Sequence, residues 1–239
     1  MYPVEIFIYC SNKSGSQTLL KTFEKKSYKV RHLHGDNDFI KNKECGKYWT
    51  NFLKEKKTIF EWMDNSLLTF NKIYIIDSYR DPIERLVSHF FQNPIKNIKS
   101  KSINELIKIF NTEYLWTLPR ANAIDEVFHH YNIKNFDNFN FNKKYNIKEV
   151  NNKVFIKLRF KDINNWSQIL SNIFGKNIKI ENENLTKDKE IYQIYTQFKK
   201  EYKVPLKFLR YVINDNAFNI YNTPKDKYDY IKYWLNRLY

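Results

Sequence analysis

The stretch Ser11-Asn12-Lys13-Ser14-Gly15-Ser16-Gln17-Thr18 gathers an ammonium, a glycine and several hydroxyls into one turn. Those residue types suit a phosphate or a phosphate-like anion. A helix that starts there offers unpaired backbone N–H groups and the positive end of its dipole. Gly15 would let the backbone approach a ligand closely. Ser14, Ser16 and Thr18 could add hydroxyl donors, and Lys13 a mobile charge. The triphosphate loop pattern GxxxxGK[ST] is absent, because the Lys precedes the Gly. The same residues would also suit an ordinary surface turn.

A second group is Arg80 and Ser88, within Tyr79-Arg80-Asp81-Pro82-Ile83-Glu84-Arg85-Leu86-Val87-Ser88. Arg80 leaves the carboxyl end of an apolar run, where open α/β sheets hold ligands. Its plainer role is a salt bridge to Asp81 or Glu84, and Ser88's is a solvated serine. His32 and His34 alternate in a strand-like segment ahead of Asp36. Any of the three could act as a general base. With Asp36 the histidines could also ligate zinc, though short of a fourth ligand.

Positioning these groups requires strands and helices in alternation. Residues 4–9 and 73–78 are near-continuous apolar runs, as expected of parallel strands covered on both faces. Residues 29–34 and 153–160 read as further strands, and 135–152 as an irregular hairpin or loop. Leu19, Leu20 and Phe23 mark a helix after the first turn. Residues 45–70 have a looser helical pattern. Asp81, Pro82 and Glu84 form a helix start, followed by Ile83, Leu86, Val87, Phe90 and Phe91 on one side. Glu84, Arg85, Ser88, His89 and Gln92 are expected on the solvated side. Ser102 and Glu105 predict a capping box before Ile103, Leu106, Ile107 and Phe110. Ala121, Ile124, Val127, Phe128 and Tyr131 mark another helix. Asp162 is expected to cap a helix containing Ile163, Trp166, Ile169, Leu170 and Ile173. Helices are predicted near 188–202, 205–220 and 224–238. The aromatic stripes Phe90/Phe91, Tyr192/Tyr195/Phe198/Tyr202 and Trp234 read as core, and His129-His130 as a solvated face. The pattern predicts a mostly parallel sheet with a helical C-terminal part.

Together the two segments resemble the sulfotransferases that use 3′-phosphoadenosine 5′-phosphosulfate. Lys13-Ser14-Gly15-Ser16-Gln17-Thr18 is similar to their Lys-Ser-Gly-[Ser/Thr]-x-Thr turn around the 5′-phosphosulfate. Arg80 and Ser88, eight residues apart, match their 3′-phosphate pair. Phe90-Phe91-Gln92-Asn93, residues 154–163 followed by Trp166, and residues 192–202 look like a sulfotransferase-like bacterial group. That group is described as putative capsular polysaccharide synthesis proteins. Asn12 stands where small-molecule sulfotransferases usually have Pro, no Trp follows Thr18, and their third, Gly-rich nucleotide motif has no copy here. These departures favour a carbohydrate acceptor over a phenol or steroid.

The resemblance implies one P-loop-like, three-layer α/β domain over 1–239. It implies transfer of a sulfuryl group to a saccharide hydroxyl, on a capsular or other surface glycan or its precursor. The product nucleotide would be 3′-phosphoadenosine 5′-phosphate, and no metal is required. Lys13 would neutralise charge on the leaving oxygen, with Ser14, Gly15, Ser16, Gln17 and Thr18 around the 5′-phosphosulfate. Arg80 and Ser88 would hold the 3′-phosphate. His34 is the expected base, with His32 and Asp36 as alternatives.

The net charge of +15 invites a nucleic-acid reading. Yet the basic residues are 34 Lys against 7 Arg, beside 30 Asn and only 3 Ala. That usage follows AT-rich codons, as in an AT-rich bacterium or a virus. The charge still favours an anionic acceptor through long-range steering. No specific nucleic-acid partner is expected. No run of 18 apolar residues predicts a transmembrane segment, and residues 1–10 lack the features of a signal peptide, so the expected location is the cytoplasm. Cys10 and Cys45 are too few for a disulfide framework and read as thiols. The rival readings are a nucleotide kinase, a basic nucleic-acid-binding protein, and a non-catalytic nucleotide-binding or scaffold member of the same fold. The sequence leaves the oligomeric state open.

Overall fold

The structure is a computed structural model and describes residues 4–34, 59–92, 98–116, 122–181 and 191–239. Five strands form one sheet: β1 (Val4–Cys10), β2 (Lys29–His34), β3 (Lys72–Tyr79), β4 (Tyr145–Val150) and β5 (Lys153–Arg159), in the order β2-β1-β3-β5-β4. The first four strands of that order run parallel, and β4 joins the β5 edge antiparallel. β1 and β3 hold the middle, as their apolar runs predict. Glu5, the one charge in β1, is fully buried and accepts from Arg31 Nε at 2.7 Å.

Helices cover both faces. Ile6, Ile8 and Cys10 pack against Leu19, Leu20 and Phe23 of α1 (Ser16–Glu24). The same cluster takes in Trp166, Ile169 and Leu170 of a later helix. Phe7 and Tyr9 join Ile59, Trp62 and Met63 of α2 (Ile59–Ser66). The remainder of the pattern predicted over 45–70 lies partly outside the described residues, at 45–58.

The chain divides into two compact units: Met1–Tyr79 with Asn122–Glu181, and Arg80–Ala121 with Asn182–Tyr239. The second unit is helical. It contains α3 (Pro82–Phe90), α4 (Ile103–Ile109, continued by a π-helical turn, Phe110–Tyr114) and a C-terminal set of helices. Ser102 and Glu105 form the expected capping box. Phe90, Phe91, Phe110, Phe198 and Tyr202 are buried in one aromatic core, while Tyr192 stays 43% exposed. Arg85, expected on the solvated side of α3, is buried. The first unit resumes with α5 (Ile124–His130), whose His129 and His130 are exposed. Ala121 lies outside the described residues.

Three expectations need correction. The segment 135–152 contains a regular strand, β4, joined to β5 by Asn151 and Asn152. Both have positive φ, 48° and 62°, the geometry of a two-residue hairpin turn that Asn tolerates. Asp162 caps no helix. It sits in a 3-10 stretch, Phe160–Asn165, and accepts from Arg159 Nε at 2.6 Å before α6 (Trp166–Phe174) begins. The side-chain pairing competes with capping for the same carboxylate. The helix predicted over 205–220 is two, α8 (Leu206–Ile213) and α9 (Asn216–Tyr221), after α7 (Tyr192–Glu201). Asp215 divides them by accepting from the Phe218 N–H and starting a new helix. α10 (Pro224–Leu235) follows, with Thr223 and Asp226 as its capping box. Among the described residues, no helix is long and apolar enough to cross a membrane.

Candidate functional site

The turn after β1 is built from backbone conformations that few residues adopt. Lys13 has φ 67° and Gly15 φ 94°. Ser14 is fully buried, and its hydroxyl donates to the Ser11 carbonyl at 2.7 Å, closing the turn. α1 starts at Ser16 with Gly15, which has no side chain to cap with, as its N-cap. The start of a nine-residue helix therefore ends the turn without a side-chain cap.

Gly15 has a second reason to be glycine. A Cβ on it would come within 2.8 Å of Trp166 Cη2 and 3.0 Å of Phe160 Cδ2. The close approach on that side is by an aromatic ring of the core, and the expectation of a ligand approach does not explain it. The hydroxyls also divide. Ser16 and Thr18 are 4% and 6% exposed, so with Ser14 they lie largely within the fold. Lys13 and Gln17 are the half-buried side chains of the motif. What the turn can offer an anion is chiefly helix-start amides, the dipole and the Lys13 ammonium.

β2 runs beside this turn. Gln17 Nε2 lies 3.3 Å from His32 Nδ1. With the amide donating, Nδ1 accepts and the ring proton belongs on Nε2. His34 ends the strand, its backbone paired with Cys10. The structure thus links the turn to His32 by a side-chain contact. Asp36 and Cys45 lie outside the described residues. Cys10 is buried, and its thiol donates to the Ile76 carbonyl at 3.4 Å. Burial, then the Asp77 charge, pushes that thiol well above its ordinary value, which leaves a neutral, unreactive group.

On the sheet's other face is a polar cluster that the sequence reading missed. Asp77 and Lys157 are cross-strand partners, both fully buried. Lys157 Nζ donates to Asp77 Oδ2 at 2.6 Å and to Asn122 Oδ1 at 2.5 Å. The N–H of Ile124 donates to the same Asp77 oxygen at 3.0 Å, so the carboxylate also fixes the start of α5. Nearby, the Tyr9 hydroxyl donates to Glu126 Oε2 at 2.6 Å. The available signal was the single carboxylate, Asp77, inside the apolar run 73–78, against a strand, 153–160, that offers three basic residues, Lys153, Lys157 and Arg159.

Arg80 and Ser88 belong to the helical unit. Asp81 accepts from the Glu84 N–H at 2.7 Å and caps α3, with Pro82 in its first turn, as predicted. Arg80 Nη2 is 3.8 Å from Glu84 Oε2, within ion-pair range but longer than a hydrogen bond. The same oxygen accepts from Lys199 Nζ at 2.7 Å. Glu84 is thus held more closely by Lys199 than by Arg80. Ser88 is half-buried on α3, and the neighbouring His89 Nδ1 is hydrogen-bonded to the Tyr114 hydroxyl. Burial pushes the Asp81 carboxyl up to about 6, and the Glu84 charge adds to this. The Glu84 N–H, the Tyr230 hydroxyl and Arg80 oppose it.

Among the described residues, no group of three His, Cys, Asp or Glu side chains could hold a metal ion. Comparison with family models, with curated proteins and with solved structures finds no match to the chain.

Proposed function

We propose that the protein is a sulfotransferase with a P-loop-like fold. Its donor would be 3′-phosphoadenosine 5′-phosphosulfate and its acceptor a hydroxyl of a saccharide. The observation that carries this reading is the start of α1. Directly after a central parallel strand, a Lys-bearing turn leads into a helix with no side-chain cap. That is a favourable setting for an anionic group. The arginine at the end of β3 and the serine on α3 add the second half of the resemblance.

The bound nucleotide supplies an activated sulfuryl group whose S–O bond to phosphate breaks as an S–O bond to the acceptor forms. The chain's contribution is positioning and charge. Amides at the start of α1 hold the 5′ end, and Lys13 offsets the charge that builds on the leaving oxygen. Arg80 and Ser88 hold the 3′-phosphate. His34 takes the proton of the acceptor hydroxyl, with Asp36 as the alternative base; His32 serves only if Gln17 releases its Nδ1 lone pair.

Transfer of labelled sulfate from the donor to a panel of saccharides tests this reading. Lys13→Ala should lower kcat by about 100- to 1,000-fold while nucleotide affinity falls less. His34→Ala should lower kcat by about 100- to 10,000-fold with nucleotide affinity nearly unchanged. Normal turnover in Lys13→Ala on an acceptor that is demonstrably sulfated would refute the assignment of the turn.

A further inference from the structure

Within the helical unit, Val204 and Leu238 pair as a short parallel bridge. The Val204 N–H donates to the Arg237 carbonyl at 2.9 Å, and the Tyr239 N–H donates to the Val204 carbonyl at 3.0 Å. The bridge ties the end of α7 to the chain's last residues. Beside it opens a cleft of about 640 Å³, lined by Lys200, Glu201, Tyr202, Lys203, Arg237 and Asn104 among others. That volume lies in the range of small-molecule sites. We infer that this cleft binds an anionic saccharide, one carrying a carboxylate or a sulfate.

Charge comes first. Among the lining side chains, three are cationic and one is a carboxylate. Lys200 and Lys203 are exposed, and neither is ion-paired among the described residues. Arg237 is already held: its Nη1 donates to the Lys199 carbonyl at 3.0 Å, and its guanidinium lies 4.4 Å from the centre of the Tyr233 ring. A fixed guanidinium with further N–H donors suits a planar carboxylate or a sulfate.

The other lining groups favour a sugar over a phosphodiester chain. Glu201 Oε1 accepts from Gln197 Nε2 at 3.1 Å, and its carboxylate can accept from sugar hydroxyls, whereas it repels closely spaced phosphates. Asn104 can both donate and accept. Tyr202 is buried in the aromatic core, with its hydroxyl donating to Asn111 Oδ1 at 3.0 Å, so it backs the cleft rigidly from within and offers no ring face to a ligand. The inference does not depend on the donor site, because none of these residues is assigned to it.

The test is a two-dimensional NMR titration of the full chain, without nucleotide. The probes are a glucuronic-acid-containing disaccharide, the same disaccharide with its carboxylate reduced to the alcohol, and a short single-stranded oligothymidylate. The uronate should give saturable shifts centred on residues 200–203 and 237–239, and the neutral sugar should bind at least about tenfold more weakly. Lys200→Gln/Lys203→Gln should weaken uronate binding by about tenfold, a loss expected of charge-assisted contacts. Arg237→Lys, which keeps the charge but loses the fork, should also weaken it and serves if the double variant is unstable. Equal binding of both sugars, shifts elsewhere, a response to the oligonucleotide alone, or no saturable shift would overturn the inference. A protein that ignores 3′-phosphoadenosine 5′-phosphate should still bind the uronate, so the two readings fail separately.

Discussion

Lys157 Nζ lies 2.6 Å from Asp77 Oδ2, in the middle of the sheet and with both side chains fully buried. The pair is enforced by strand register, since Asp77 and Lys157 are direct partners on β3 and β5. Each charge is tolerable in the interior because of the other. Lys157→Met alone should therefore strand a buried carboxylate and cost about 3–5 kcal/mol. Asp77→Asn/Lys157→Met, which removes both charges and keeps an acceptor for Ile124, should cost less than the two single changes together. Urea unfolding of the three variants measures this. Additive losses would mean that the pair is not coupled.

Gly15→Ala tests why the turn contains a glycine. The new methyl would meet Trp166 at 2.8 Å, and φ there is 94°. Strain in that region and overpacking each cost about 1–3 kcal/mol. Gly15→Ala should lower the unfolding midpoint in urea, and Trp166→Phe, which gives up a buried hydrogen bond of its own, should cost less in that background than in the wild type. A silent Gly15→Ala would mean that the ring yields freely.

These two sites mark what the sequence makes legible. The turn, the central strands and the capped helix α3 were readable because local signals decide them: an apolar run, a glycine, an Asp-Pro start. Asp77–Lys157 was not readable, because nothing local pairs residue 77 with residue 157. Asp162 misled for a related reason: it is a plausible cap in sequence, but Arg159 takes its carboxylate. The continuous helix expected over 205–220 failed because Asp215 caps a new helix there. Arg85 follows the polar spacing of α3, yet it is buried. The buried hydroxyls of Ser14, Ser16 and Thr18 likewise depend on packing that the motif does not encode.

Asp81 should make stability pH-dependent in an unusual direction. Its carboxyl is raised from 3.8 to about 6 in the fold, so the folded state binds this proton more tightly than the unfolded chain. The contribution is fully present below pH 4 or so and is lost as pH rises through about 6. Asp81→Asn keeps an N-cap side chain and removes the titration. Relative to Asp81→Asn, the wild type should gain on the order of 1–3 kcal/mol between pH 6.5 and 4.5, read by urea unfolding. The comparison cancels the contributions of Arg80, Glu84 and Tyr230. A constant difference across that range would show that the Asp81 carboxyl titrates normally.

The account depends most on the nucleotide, and calorimetric titration with 3′-phosphoadenosine 5′-phosphate and with ATP measures it directly. The bisphosphate should bind saturably and raise the unfolding temperature by mass action, with little response to ATP. Arg80→Ala should weaken the bisphosphate by about 10- to 150-fold, corresponding to a charge-assisted contact of roughly 1.5–3 kcal/mol. The same change should leave adenosine 5′-phosphosulfate, which lacks the 3′-phosphate, nearly unaffected. Binding of ATP in preference to the bisphosphate, or an equal loss for both sulfate-pathway nucleotides in Arg80→Ala, would contradict the proposed function.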